Sequence, residues 1–435
     1  MEKKIVYVPM AADIIHPGHL NIINEASKLG YVIVGLFSDK AISSYKRIPL
    51  MSYDQRKLIL QSIKGVDEVV LQDEKDYDRN LLKYKPDFLV HGDDWKSGPL
   101  DSSRQRAIKL MQTWGGKIIE PKYTQDISSS FLIKQIKELG IFPHERLGSL
   151  KRALQVKNVI KGIEAHSGLS AMIIEDLVIK DRYGNNQSFD FLWLSSLTDS
   201  SSKGKPDNEF VDLTSRITTV NDILEVCTKP IIYDGDTGSQ IPHFVLTVKR
   251  LERLGVSAIV IEDKIGLKQN SLCDSDLRHT QDTIDNFCLK IQKGKQAQLS
   301  KEFMIIARIE SLILQKGIDD ALTRAHAYIE AGADAIMIHS RQKDGLEILE
   351  FCEKYNNFTN RKPLMVVPTN YPSLSEQDLE RAGVNLVVYA NQLLRSAYSA
   401  MKTTATLILQ NGRSLEADKE YISALDLIKL IKGNQ

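Results

Sequence analysis

Long apolar runs, paired cysteines and an excess of either charge are all missing from this 435-residue chain. No stretch approaches the ~18 apolar residues of a membrane-spanning helix, so no membrane partner is expected. The charged start Met1-Glu2-Lys3-Lys4 leads only into Ile5-Val6-Tyr7-Val8. That is too short for a signal peptide and reads as a first β-strand. The four cysteines (Cys227, Cys273, Cys288, Cys352) show no CxxC spacing, which points to reduced thiols and a cytoplasmic setting. With 57 basic and 56 acidic residues the formal charge is +1, without the basic excess that non-specific nucleic-acid binding requires. Low-complexity tracts are absent too. What remains is an ordinary folded composition, 42% hydrophobic and 26% charged. At roughly 150 residues per domain, the length suits two or three domains, or one large barrel with a smaller unit.

Two regimes divide the chain. Over residues 4–138 short apolar runs (5–8, 31–37, 68–71, 87–90, 117–119) alternate with helical patterns (19–29, 54–64, 102–114, 129–139). That alternation predicts a parallel sheet covered on both faces, an α/β domain over 1–140. Residues 141–150 carry a proline and a glycine and no evident period, as a linker would. Beyond 151, apolar runs end at Glu164, Ser195, Asp234, Glu262, Arg308, His339, Pro368 and Ala390. Eight such units, most near 30 residues, predict a (β/α)8 barrel over 151–435, with its chemistry at the C-terminal strand ends. Residues 416–433 read as a closing helical segment.

In the first domain, strand one runs into His16-Pro17-Gly18-His19 at the mouth of a helix. Gly18 permits close approach of a ligand, and the helix N-terminus is a natural phosphate site. His16 and His19 can donate hydrogen bonds to a phosphoryl group as it gains charge. Together with Ser52-Tyr53-Asp54-Gln55-Arg56-Lys57, His91-Gly92-Asp93-Asp94-Trp95 and Asp126-Ile127-Ser128-Ser129, this segment resembles the HxGH nucleotidylyltransferases of the glycerol-3-phosphate and choline-phosphate cytidylyltransferase branch. The resemblance implies a Rossmann-like fold, CTP as co-substrate, Mg²⁺ and release of pyrophosphate. It implies further that His16 and His19 stabilise the α-phosphorus transition state and that Lys46 and Arg56 neutralise phosphates. Asp94 and Trp95 would shape the nucleotide pocket, and Ser128 and Ser129 would hold a phosphate. The branch's Arg-Thr-Glu-Gly-Ile-Ser-Thr stretch appears here as 123–129 without its arginine, and Met10-Ala11-Ala12-Asp13 replaces a Gly-Thr-Phe-Asp pattern. Both departures argue for an acceptor other than glycerol phosphate or choline phosphate.

In the second region, Asp234, Asp236 and Glu262 close adjacent strands and form a hard-oxygen site suited to Mg²⁺. Arg308 and His339 end strands five and six, across the mouth, so the site fits a polyanionic small molecule. The runs 164–170, 193–197, 204–207, 234–238, 262–271, 307–310 and 339–340 resemble the phosphoenolpyruvate mutase/isocitrate lyase superfamily, and within it the mutases. The lid carries Lys268-Gln269-Asn270-Ser271 where the lyases have a cysteine. The resemblance implies isomerisation of phosphoenolpyruvate to phosphonopyruvate. Trp193, Ser195, Ser196 and Leu197 would bind the pyruvyl end, and Lys268, Asn270 and Ser271 would clamp the phosphoryl group. Arg308 and His339 would support the enolate, with Asp207 assisting transfer. Asp234 is the expected direct metal ligand, with Asp236 and Glu262 acting partly through water.

The same domain order occurs in the fused mutase–cytidylyltransferases of the fosfomycin pathway, which the chain resembles over nearly its full length. That implies a bifunctional enzyme of phosphonate biosynthesis, with 2-hydroxyethylphosphonate or another phosphonate as acceptor and a homo-oligomeric dimer or tetramer. Two alternatives stay open: a phosphonopyruvate hydrolase barrel, and a non-catalytic CTP-sensing N-terminal module. Trp114, Cys227, Cys288, Cys352 and His326 read as structural, and Asp319-Asp320 as a solvated helix face.

Overall fold

A computed structural model describes residues 3–96, 100–122, 132, 142–181, 186–266, 268, 271 and 280–431. Ser128, Ser129, Asn270 and Cys273, the helical pattern at 129–139, and the side chain of Asp94 lie outside the described residues. The chain divides into two compact units: residues 1–145 with 151–158 and 176–188, and residues 146–150 with 159–175 and 189–435.

The first unit holds a five-stranded parallel sheet of β1 (Ile5–Met10), β2 (Tyr31–Phe37), β3 (Glu68–Gln72), β4 (Phe88–Val90) and β5 (Lys117–Ile119). The order β3–β2–β1–β4–β5 puts the first strand at the centre. Its side chains are buried on both faces, as a doubly covered parallel strand requires. Val6 and Val8 pack on one face with Ile23 and Leu60, while Tyr7 packs on the other with Leu81 and Met111. Two helices, Asp39–Ser43 and Tyr77-flanked Asp78–Tyr84, were not anticipated. At five and seven residues they are too short to show a helical period.

The second unit is a closed barrel of eight parallel strands: β6 (Ile160–Glu164), β7 (Phe191–Leu194), β8 (Ile231–Asp234), β9 (Ala258–Glu262), β10 (Met304–Ile309), β11 (Ala335–Ile338), β12 (Leu364–Val366) and β13 (Leu386–Tyr389). Closure is made by β13 against β6. Gly162 is required inside: a Cβ there would run into the Phe191 ring of the neighbouring strand. Each predicted strand end falls on, or within two residues of, the observed one. The expected irregular linker is corrected over eight of its ten residues, 143–150. Pro143 opens a helix, Pro143–Val156, whose Leu147, Leu150 and Ala153 are buried at a spacing of three. The proline that read as a breaker is the helix's first turn, where its missing N–H costs nothing. The closing segment contains a short helix, Ala424–Leu430, after a 20-residue helix, Gln392–Asn411.

Candidate active sites

In the first unit, His16 caps the helix Pro17–Ser27. Its Nδ1 accepts the Gly18 N–H at 3.2 Å, and the His16 N–H is donated to His19 Nδ1 at 3.4 Å. With both Nδ1 atoms accepting, the neutral tautomer carries its proton on Nε2. Burial lowers both histidines' pKa; His19 falls to about 3, with His16 and Lys46 adding to the effect. The rings lie 4.0 Å apart. Two uncharged imidazoles thus present Nε2–H donors at a helix N-terminus, suited to oxygens of a nucleotide phosphate. The influence of Lys46 on His19 places an exposed ammonium close by.

Arg56, expected to neutralise phosphates, is placed inside the domain. Its side chain is fully buried. Nε donates to the Met51 carbonyl at 3.2 Å, Nη1 to the Ala11 carbonyl, and Nη2 to the Phe37 carbonyl at 2.9 Å and Asp39 Oδ1 at 2.5 Å. It ties the loops after β1 and β2 together, with four of its five N–H groups engaged inside the domain. Trp95 is also buried. It stacks on His91 at 4.2 Å and donates Nε1–H to Glu120 at 2.7 Å. Hydrogen bonds from Arg104, Trp95 and Lys96 bring Glu120 down to about 2. The tryptophan is a wall of the domain rather than an open receptor.

In the barrel, Trp193, Ser195, Ser196, Leu197, Asp207, Asp234, Lys268, Ser271, Arg308 and His339 line one cavity of about 60 Å³. Their elements explain the convergence. Ser195 follows β7 and caps the helix Ser196–Ser202, its Oγ accepting the Thr198 N–H. Asp234 ends β8 and accepts from the backbone N–H and Oγ–H of Ser196 at 3.1 and 2.9 Å. Lys268, from the segment after β9, contacts Ser196, Asp236 and Asp207, the last at 2.8 Å. Burial disfavours its charge, yet Asp236, Asp234 and Asp207 hold the ammonium protonated well above the ordinary lysine value. Lys268, Arg308 and Arg216 pull Asp234 below the usual carboxylate range against its burial. For Asp236 burial dominates and raises the pKa.

Glu262 and Arg308 face each other across β9 and β10, 3.2 Å apart. Burial pushes Glu262 up to about 7, an effect Arg308 and Lys264 only partly offset. Arg308 also donates to Glu310 at 2.6 Å and to Ser271 at 2.8 Å. His339 is lowered to about 4 by burial and by Arg308, and its Nδ1 has no hydrogen-bond partner. It is therefore neutral at pH 7, a donor or acceptor for substrate rather than a cation. Asp236 and Glu262 do not line the cavity, but touch residues that do.

Several site residues escaped the sequence reading. Glu310 and Lys264 complete the ring: Lys264 lies 3.1 Å from Glu262 and 3.2 Å from Glu310, and donates to Ser271 at 2.9 Å. Each sits two residues past a predicted site residue, on the same face of an extended chain, and that periodicity was the available signal. Thr369 and Asn391 line the cavity after β12 and β13. Asp320 is no free surface charge: it accepts from Ser311 and Arg324. Cys227 and Cys352 are buried, and Cys288 is half-buried.

A (β/α)8 barrel whose carboxylates and cations converge at the strand ends has the layout of a barrel enzyme. Comparison with known proteins gives the family. The family model "Phosphoenolpyruvate phosphomutase" matches residues 150–409, and "Cytidylyltransferase-like" matches residues 11–135. The chain is 33% identical over 289 residues to a phosphoenolpyruvate phosphomutase of Tetrahymena pyriformis, covering 65% of this chain and 92% of that one. It is 34% identical over 286 residues to a phosphonopyruvate hydrolase of Variovorax sp. (strain Pal2), covering 65% and 93%. A solved phosphonopyruvate hydrolase in complex with oxalate and Mg²⁺ superposes with a TM-score of 0.57 at 32% identity, covering 66% of this chain and 94% of that one. The chain belongs to the phosphoenolpyruvate phosphomutase family and carries a cytidylyltransferase-like domain ahead of the barrel. It is an enzyme that joins an isomerase barrel to a nucleotidyltransferase-type domain.

Proposed function

We propose that the barrel interconverts phosphoenolpyruvate and phosphonopyruvate with Mg²⁺, and that the N-terminal domain transfers CMP from CTP to a phosphonate such as 2-hydroxyethylphosphonate. The observation that carries the reading is Lys268. It lines the same cavity as Arg308 and His339, so that one site offers cationic groups for a phosphoryl group and for an enolate.

The residues fit Mg²⁺. Asp234, Asp236 and Glu262 offer only oxygen, and both buried carboxylate oxygens of Glu262 make no hydrogen bond, meeting only the ion-pair contacts of Lys264 and Arg308. Among the described residues no three His, Cys, Asp or Glu side chains form a ready-made metal cage. Bound there, the metal would neutralise and orient the enolate and carboxylate oxygens. Arg308 and neutral His339 would hold the enolate oxygen. Ser195 and the backbone at 196–197 would fix the pyruvyl end. The phosphorus–oxygen bond of the enol ester breaks and a phosphorus–carbon bond forms at carbon 3 of the same enolate. Lys268, with Asn270 and Ser271, would keep the PO₃ fragment from water between the two events. In the first unit the paired Nε2–H donors of His16 and His19 would stabilise the α-phosphorus as an acceptor oxyanion displaces pyrophosphate.

Similarity of equal strength to a phosphonopyruvate hydrolase favours a second reading, transfer of the phosphoryl group to water. Incubation of the protein with phosphonopyruvate and Mg²⁺, followed by phosphorus NMR, separates them: phosphoenolpyruvate marks the isomerase, phosphate with pyruvate the hydrolase. CTP with a panel of phosphonates tests the other domain. Pyrophosphate release with any acceptor establishes a transferase, and its absence with all of them favours a CTP-sensing module. The helix Gln392–Asn411 has no buried residue and exposes Tyr398, Met401 and Leu409. This supports a homo-oligomer, dimer or tetramer, in which a second copy covers that face. Among the described residues no helix is long and apolar enough to cross a membrane.

A further inference from the structure

The helix Leu213–Val226 contributes no residue to the catalytic cavity, yet its first turn sends Arg216 beneath the strand ends. Arg216 is 4% exposed. Nη1 donates to the Asp234 carbonyl at 2.6 Å and to Asp236 Oδ2 at 3.2 Å. Nη2 donates to the Leu194 carbonyl at 3.4 Å, and Nε lies 3.4 Å from Asp199 Oδ2. The guanidinium stacks 4.2 Å from the centre of the Tyr233 ring. One side chain therefore touches the end of β7, the helix that follows Ser195, the end of β8 and Asp236. These elements carry Ser195, Ser196, Asp234 and Asp236.

Asp236 needs such a hold. Its φ of 55° lies in the left-handed region, uncommon for a residue other than glycine, although aspartate tolerates it better than most. Its other carboxylate oxygen is held by Lys268, which must turn to substrate for the proposed reaction. Arg216 is the partner that stays.

We propose that Arg216 is a positioning residue that fixes Asp234 and Asp236 against the Ser195–Ser196 turn, so that their oxygens are arranged for a divalent cation when Lys268 is engaged elsewhere. The proposal rests on the Mg²⁺ reading above, but not on whether the barrel is a mutase or a hydrolase. Calorimetric titration of the full-length protein with Mg²⁺ alone tests it. Arg216→Met is expected to weaken Mg²⁺ binding about 10–100-fold, the usual effect of removing a residue that orients metal ligands. At saturating Mg²⁺ its kcat falls more than its KM rises. Arg216→Lys keeps the charge but loses the planar fork, and should fall between the methionine variant and wild type. Arg146→Met is the control: Arg146 is equally buried and donates to the Cys227 carbonyl, away from the carboxylates. It should lower the melting temperature and leave Mg²⁺ affinity unchanged. Wild-type Mg²⁺ affinity in Arg216→Met, or a loss no greater than in Arg146→Met, overturns the proposal. Where Arg216→Met does not fold, wild-type affinity in Arg216→Lys does so. A wild-type protein that binds no Mg²⁺ refutes instead the metal reading on which the proposal stands.

Discussion

Replacing Arg56 by methionine separates two accounts of the N-terminal domain. As a phosphate ligand, Arg56 could be lost with little effect on folding. In the structure its loss leaves Asp39 with only the longer Arg152 contact, at 3.5 Å, as an ion pair, and deprives the Ala11, Phe37 and Met51 carbonyls of the Arg56 donor. Removing one member of a buried pair costs about 3–5 kcal/mol. Asp39 is 19% exposed and water can reach it, which argues for the lower half of that range. The stranded carbonyls argue for the upper half, at about 1–3 kcal/mol for each buried group left unsatisfied. The contributions share one side chain and do not add, so about 4 kcal/mol is expected. For a unit of this size about 1 kcal/mol shifts melting by about 3 °C, and the N-terminal transition should fall by about 10 °C. Scanning calorimetry of the full chain reads this directly, because two units can melt separately; CTP identifies the N-terminal transition by raising it. An Arg56→Met protein that melts like wild type while its KM for CTP rises tenfold would refute the structural account and restore the phosphate role.

Three further outcomes follow from the geometry. Glu262 is held at about 7, above its ordinary 4.5; the folded state therefore favours the protonated form, a contribution complete below the ordinary value and lost as pH rises through 7. Relative to Glu262→Gln, the metal-free wild type should lose melting temperature between pH 5 and pH 8, and an unchanged difference across that range would count against the shift. His19→Ala and His16→Ala should each lower CMP transfer about 10²–10³-fold, as loss of one preorganised donor does; because both histidines are held below their normal pKa, the wild-type rate should show no acid limb near pH 6.5, and one there would show they titrate normally. Tyr328→Phe removes one donor from buried Asp263, whose carboxylate also accepts from Gln281, Arg324 and the Glu310 N–H; a loss of about 1–3 kcal/mol in denaturant unfolding is expected, and no loss would show that the remaining donors suffice.

Much of this was legible in the sequence where chemistry and period coincide. A β-strand of a barrel is apolar until it reaches the mouth, so the first polar residue after each run marks the site; Asp234, Glu262, Arg308 and His339 were found that way. Arg216 was not, because it lies on a helix beside Ile217 and Val220, where a charged residue reads as the solvent face. Arg56 was seen, but not its burial. A cation near a phosphate-binding loop looks the same in sequence whether it meets phosphate or backbone carbonyls, and only its complete burial decides. The helix Pro143–Val156 was hidden by its own first-turn proline and by Gly148.

The ring of charge at the barrel mouth has a thermodynamic consequence. Asp207, Asp234, Asp236, Glu262 and Glu310 stand against Lys264, Lys268, Arg216 and Arg308, so opposite charges almost cancel before any guest arrives. Such a pocket exerts little long-range pull on a lone dication or a lone anion. Each newcomer must unseat one half of an existing couple, and the half set free is the natural host for the other newcomer. Occupancy by either should therefore sharpen affinity for its counterpart.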